Sequence, residues 1–490
     1  MGLVSAAGLG GPAGASELYT PDWGSLEKNP APEWLLNAKF GIYAHWGVYS
    51  VPAFGHEWYA KHMYDPGNTR GVYEHHRKVY GTQDKFGYKD LVPMFKAEKF
   101  DPREWAGIVR QSGAKYAGIA VVHHDGFLLW DSKVSRWNSA RMGPRRDLFG
   151  ELVKAYRAAG LKIVATEHHM RTFDWYLPAD AARLEEIRRQ NFDLFDPKYA
   201  DLYWNRFTGN KQEFLKAWKA KLLEVIDKYQ PDVLWFDGGD FTSPEVAAYV
   251  KTTLARYFNE AREGTRDVAV LNKLAGSGKY NFPHGFGMLT FEGGRDRPAE
   301  VARPWIDDLS IGIGSWGYVE GLKLRTAREL ILGLVDRVSR GGGLLLSLSP
   351  MANGEIPAGQ QALLREMGEW LKVNGEAIHG TRTWKVHAEG STEKLMVTQG
   401  KHSGWNFDRC SAEDIRFTRK GALLYAIALG WPESGAWTIK SLGSEMKAAS
   451  VTMLGSSATL KWSQGAGGLT IQAPGTAPSK HAYTFRIASK

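Results

Sequence analysis

The sequence predicts a (β/α)8-type TIM barrel, an α/β fold, followed by a smaller β-sandwich, and three observations carry that prediction. Between about residues 35 and 350 an amphipathic helix, a glycine, a short apolar run and a cluster of polar or aromatic residues recur in that order. In four places the residues able to do chemistry end an apolar run, which is where parallel α/β folds gather their active-site loops. After about residue 384 the rhythm changes to strand-like alternation broken by Gly, Ser and Pro. The 490 residues exceed one ordinary core, so the expected division is an N-terminal extension over 1–32, a catalytic barrel over 33–384 and a β-sandwich over 385–490.

The elements follow from local patterns. The first strand, 39–44, delivers His45-Trp46. Asp101-Pro102 reads as an N-cap and first-turn proline, with Trp105, Ile108 and Val109 on one helical face and Gly113 as the stop. The buried run 115–122 then ends in His123-His124-Asp125. Asp147 starts a helix with Leu152, Val153 and Tyr156 on one face, and past Gly160 the strand 161–166 ends in Glu167-His168-His169. Phe214, Trp218, Leu222 and Val225 line another helix, before a strand over 233–236 that ends in Asp237-Gly238-Gly239. A strand over 343–348 and a helix over 360–373 close this domain. No glycine-rich phosphate fingerprint follows the early strands, which favours a closed barrel over an open doubly wound sheet. In the second domain Leu423, Tyr425, Ile427 and Leu429 point one way after a turn at Lys420-Gly421. Further strands are expected at 451–454, 458–462, 469–473 and 483–487.

Composition narrows the function. Hydrophobic residues at 43% and charged residues at 23% are the balance of a folded globular chain. The net charge of +9 is spread without a basic run, so no nucleic-acid partner is expected. Cys410, the single cysteine, forms no internal disulfide and is expected to be a small buried hydrophobe. The opening MGLVSAAGLGGPAGAS is small and apolar like the tail of a signal peptide, without a basic n-region, and gives an expectation of a periplasmic or secreted enzyme. No run reaches the roughly 18 apolar residues that span a bilayer, so no membrane partner is expected.

Asp237 is delivered by an apolar strand with Trp235 on the same face and two glycines after it, the setting of a nucleophile, although Asp before Gly equally caps a turn. Glycoside hydrolysis with retention needs a second carboxyl group about 5–5.5 Å away. Glu292, Glu300, Asp307, Asp308 and Glu57 are candidates, and spacing does not choose among them. The pairs His75-His76, His123-His124 and His168-His169 raise a metal hydrolase, but neighbours at a strand end point in opposite directions and no zinc pattern is present, so no metal is expected. Neutral imidazoles bonded to sugar hydroxyls fit better, with His169 expected to face the substrate and His75-His76 to lie on a solvated face. The 19 tryptophans also suit a sugar site; Trp105 and Trp218 are core by spacing, whereas Trp46, Trp58, Trp235 and Trp316 stand beside the loop motifs.

Taken together, the segments AKFGIYAHWGVYSVP at 38–52, Glu57-Trp58-Tyr59, KYAGIAVVHHDGFLLW at 115–130, PDVLWFDG at 231–238, Ser315-Trp316-Gly317-Tyr318 and NGEAIHGT at 374–381 resemble the α-L-fucosidases of glycoside hydrolase family 29. The resemblance runs through nearly all of 33–431. It implies an often irregular barrel with a C-terminal β-sandwich and double-displacement release of terminal α-L-fucose from a fucosylated oligosaccharide or polysaccharide, with no cofactor. By position Asp237 matches the nucleophile; His45, Glu57, Trp58, His123, His124 and Trp235 match the fucose pocket; Trp316 matches the aromatic near the sugar's methyl group; and Glu292 is the best placed acid/base. Three segments depart from the family pattern: Thr166-Glu167-His168-His169, Trp305-Ile306-Asp307-Asp308, and Asn272-Lys273-Leu274, where the family has an arginine that contacts the sugar.

Overall fold

The computed structural model of the chain describes residues 18–274, 278–294, 301–392, 407–443 and 446–489. Eight parallel strands close a barrel in chain order: β1 (Phe40–Ala44), β2 (Tyr116–Val122), β3 (Lys162–Glu167), β4 (Val233–Phe236), β5 (Ala269–Lys273), β6 (Met288–Glu292), β7 (Trp305–Ser310) and β8 (Gly342–Leu348). Closure is made by β8 against β1, from Phe40 opposite Leu344 to Ala44 opposite Leu348. Within the barrel Tyr43, Tyr116, Val164, Trp235, Leu271, Ile306 and Leu345 belong to one buried cluster, so the lumen is a packed floor rather than a pore.

The flanking helices start where their caps dictate. Asp101 accepts from the Arg103 N–H at 2.8 Å ahead of helix Pro102–Gln111, and Asn210 accepts from the Glu213 N–H at 2.9 Å ahead of helix Lys211–Tyr229. The barrel is irregular on one side: among the described residues no helix separates β5 from β6 or β6 from β7. No helix among the described residues is long and apolar enough to cross a membrane.

Past the barrel come β9 (Arg382–Glu389), β10 (Ile415–Lys420), β11 (Leu423–Ala428), β12 (Ala436–Ile439), β13 (Ala448–Met453), β14 (Trp462–Gly465), β15 (Gly468–Gln472) and β16 (Tyr483–Ser489). They form an antiparallel sheet in the order β13-β16-β11-β10-β9 and a second in the order β12-β15-β14. Both faces of β11 are buried: Leu424, Ala426 and Ala428 in the core between the sheets, Tyr425 and Ile427 in the cluster that includes the barrel helices. Arg416 of β10 adds a buried ion pair across the junction, 2.5 Å from Asp336 on helix Ala327–Ser339. One expected strand is displaced: 458–461 is irregular and β14 starts at Trp462. Cys410 is buried, with a free thiol.

Candidate active site

A cavity of about 510 Å³ opens at the carboxyl ends of the strands, above the packed floor. Alternate residues of a strand share a face, so β4 turns Trp235 inward and, two residues on, presents Asp237 to the cavity. Trp235 donates its indole N–H to Thr290 Oγ1 of β6 at 3.2 Å, and the Asp237 backbone N–H still bonds Glu167 O at 2.8 Å, so the carboxylate is anchored by the sheet. Gly238 follows with φ of 82°, and a Cβ there would lie 2.0 Å from Nε of Arg171; the glycine therefore makes room for a guanidinium beside the carboxylate.

Lys273, at the end of β5, bonds Asp237 Oδ1 through its ammonium and lies 2.9 Å from Glu292 Oε2 at the end of β6. Two oxygens within hydrogen-bond reach of one nitrogen are no more than about 6 Å apart. Burial opposes the charge of Lys273, but Asp237, Glu292 and Asp308 hold its pKa above the ordinary lysine value. Burial alone would likewise push Asp237 up, yet the charges of Lys273, first, and Arg171 hold it well below the usual carboxylate range.

Four imidazoles face this pair. His45 shares Nδ1 with Ser347 Oγ of β8 at 2.8 Å, leaving Nε2 for the cavity. A register shift in β2 between Ala120 and Val122 re-aims the strand end that carries His123 and His124. His124 donates Nδ1–H to the His168 carbonyl at 2.6 Å and turns Nε2, an acceptor, to within 3.7 Å of Asp237 Oδ2. His168 Nε2 stands 3.5 Å from the same oxygen. Burial keeps these rings neutral, with His45 and His124 held down at about 4 and His123 and His168 well below the ordinary histidine value. Each neutral ring offers one donor and one acceptor, as a hydroxyl does. His45, His123 and His168 could also hold an ion, since one nitrogen from each lies within 4.8 Å of the others. The positive charges of Lys273 and Arg171 beside the imidazoles oppose a divalent cation there.

The buried histidines make stability depend on pH. His62, at about 3, and His76 and His379, at about 4, are depressed by burial like those of the cavity, as is His169. Below the ordinary histidine pKa of about 6.5 the unfolded chain takes up protons that the folded chain refuses, so stability falls with pH. Asp125 and Asp193 at about 6, Glu167 at about 7 and Asp308, well above the ordinary carboxylate range, all raised by burial, act in the opposite sense but are fewer. The urea midpoint is therefore expected to drop between about pH 7 and about pH 5; a flat or rising midpoint contradicts the balance.

Two loops complete the wall. Glu57 accepts from the Trp316 N–H at 2.9 Å and from Ser315 Oγ at 3.2 Å. Burial would raise this carboxyl, but His56 and the Trp316 amide hold it at about 2. Trp316 packs on His45 with ring centres 5.2 Å apart, and Trp58 meets His124 edge-on at 5.8 Å.

Asp237, Glu292, His45, Glu57, Trp58, His123, His124, Trp235 and Trp316 thus converge. His169 does not: it points to the outer side of the barrel wall, against Phe214 at 5.2 Å and Lys221 Nζ at 3.3 Å, and His168 faces the cavity instead. Trp46 is core, packed against Phe95, Phe100 and Trp105. His76 is buried rather than solvated, 3.0 Å from the Tyr59 hydroxyl and 2.8 Å from Phe86 O. Of the other candidate acids, Asp307 turns outward to a buried pair with Arg337 at 2.5 Å, and Asp308 turns inward, accepting from the Tyr43 hydroxyl at 2.8 Å. Glu300 lies outside the described residues. Lys273, Arg171 and His168 escaped sequence reasoning as site residues; each lies in or beside a segment that departs from the family pattern, which was the available signal.

A packed β/α barrel whose strand ends set paired carboxylates among neutral imidazoles and tryptophans defines a glycoside hydrolase. The alpha-L-fucosidase family model matches residues 11–376, and the model of the alpha-L-fucosidase C-terminal domain matches 408–488. The α-L-fucosidase of Branchiostoma floridae is 33% identical over 486 residues, covering 96% of this chain and 95% of its own, and rat tissue α-L-fucosidase is 33% identical over 499 residues, covering 99% and 95%. The crystal structure of Thermotoga maritima α-fucosidase with fucose superposes with a TM-score of 0.74 at 30% identity, over 95% of this chain and 99% of that one. That enzyme's complex with a mechanism-based inhibitor gives a TM-score of 0.76 at 30% identity, over 96% and 100%. The chain belongs to the α-L-fucosidase family.

Proposed function

We propose that the protein is a retaining exo-α-L-fucosidase that releases terminal α-L-fucose from oligo- or polysaccharides, with Asp237 attacking the anomeric carbon and Glu292 acting first as acid and then as base. The observation that supports this most is the shared contact with Lys273. It keeps an oxygen of Asp237 and one of Glu292 within about 6 Å, near the 5–5.5 Å spacing of retaining enzymes and short of the roughly 6.5–9.5 Å of most inverting ones. Glu292 is preferred over Asp308 because its side chain is 27% exposed, where a leaving group departs, whereas Asp308 is buried. The neutral imidazoles and ionised Glu57 are suited to sugar hydroxyls, and Trp316 to an apolar methyl. The Thermotoga maritima complexes with fucose and a mechanism-based inhibitor support the same sugar and chemistry here. The intact carboxylate pair speaks against a binding protein that has lost catalysis.

In the first half-reaction Asp237 bonds to C1, the C1–O bond breaks, and Glu292 gives its proton to the departing oxygen. In the second, water bonds to C1, loses a proton to Glu292, and displaces the Asp237 ester. Following an aryl α-L-fucoside by NMR should show α-L-fucose as the first product, before mutarotation; β-L-fucose as first product overturns the mechanism, and no release of fucose overturns the substrate.

A further inference from the structure

The two-carboxylate scheme does not call for Lys273, yet its ammonium touches both acids. The nitrogen bonds Asp237 Oδ1, lies 2.9 Å from Glu292 Oε2, and sits 5.3 Å from the centre of the Trp235 ring. The side chain is 10% exposed, so the charge is held between the carboxylates rather than swinging in solvent. Asp308, Arg171, His168 and His124 also face this group of charges.

We propose that Lys273 is a charge-positioning residue, a single ammonium shared by Asp237 and Glu292 that follows the negative charge from one to the other through the catalytic cycle. The proposal rests on the reading of those two residues as the reacting pair.

Before reaction, the productive state has ionised Asp237, protonated Glu292 and protonated Lys273, which sum to zero charge. Forming the Asp237 ester removes its negative charge, and giving a proton to the leaving oxygen creates one on Glu292; the sum is again zero. Hydrolysis reverses both changes. Between side chains as buried as these a migrating negative charge without a counter-charge would be costly, and a fixed ammonium within reach of both ends removes that penalty without reorganisation. An ammonium in contact with two carboxyl groups favours the ionised form of each, so Lys273 sets the pH window.

The test compares the unsubstituted enzyme with Lys273→Met and Lys273→Arg on an aryl α-L-fucoside across pH. Met should lower kcat/KM by about a hundredfold and move both limbs of the profile up by about one unit or more, while Arg should leave both limbs within about half a unit. A 2-fluorofucosyl fluoride isolates Asp237, because fluoride departs without protonation; its acid limb should also move up in Lys273→Met. A loss of rate with both limbs in place means a packing role and overturns the proposal, as does an unchanged profile. Lys273→Gln is measured alongside in case Met is not tolerated. The unsubstituted enzyme gives a further reading: hydrolysis of its trapped 2-fluorofucosyl intermediate reports Glu292 as base, and that limb should fall below the ordinary glutamate value of about 4.3. A limb above that value overturns the proposal with no variant needed. Full turnover in Asp237→Asn would instead bring down the underlying assignment, whatever Lys273 does.

Discussion

Replacing Asp237 by asparagine is expected to lower release of the aglycone from an aryl α-L-fucoside by roughly 10⁴-fold or more, with the cooperative unfolding transition retained. The amide keeps the shape of the carboxylate and the backbone bond to Glu167 O at 2.8 Å, so the strand end is undisturbed. It has no charge to attack C1 with. Lys273 keeps Glu292 as a partner, so no unpaired ammonium is left to unfold the site. Asp237→Gly opens space on the attacked face, and there azide should restore turnover and give a fucosyl azide of inverted configuration. Normal turnover of either variant without azide removes Asp237 from the nucleophile's role.

Glu292→Gln should show a loss graded by leaving group. With a sugar aglycone, whose oxygen needs a proton, kcat/KM should fall by about 10²–10⁴-fold. With a nitrophenolate, which leaves unaided, glycosylation should be nearly spared and hydrolysis of the ester slowed, so a burst should precede a slow steady state. Asp308 supplies the control. The Tyr43 hydroxyl donates to its carboxyl at 2.8 Å, and the amide oxygen of an asparagine accepts the same bond, so Asp308→Asn keeps that contact and should cost less than about tenfold. If the graded loss appears in Asp308→Asn and not in Glu292→Gln, the acid/base assignment moves to Asp308.

The contrast between these acids marks where sequence reasoning stopped. Asp307 and Asp308 are neighbours with the same local character, and only strand parity sends one to Arg337 and the other into the cavity. His168 and His169 divide in the same way: Thr166 pairs with Trp235 across β3 and β4, which sets position 168 beside Asp237 and turns 169 outward. The side on which a strand begins its alternation depends on register with its neighbours, and the local apolar run does not encode it. Strands β5 to β7 are less legible in the sequence than β1 to β4 because, among the described residues, no helix stands between them to repeat the α/β rhythm. Lys273 looked like the loss of an arginine, since the value of a cation lies in what it touches, and its partners come from two other strands.

By itself the sequence determined the barrel class, the sandwich that follows it, the main caps and helices, and Asp237 at a strand end, because each is written in the spacing of nearby residues. The tertiary structure alone decided which histidine enters the cavity, that Glu292 stands within reach of Asp237, and that one ammonium joins them. Closing the barrel brings together strand ends that lie far apart in the chain, and a distance between side chains on different strands is a property of their register.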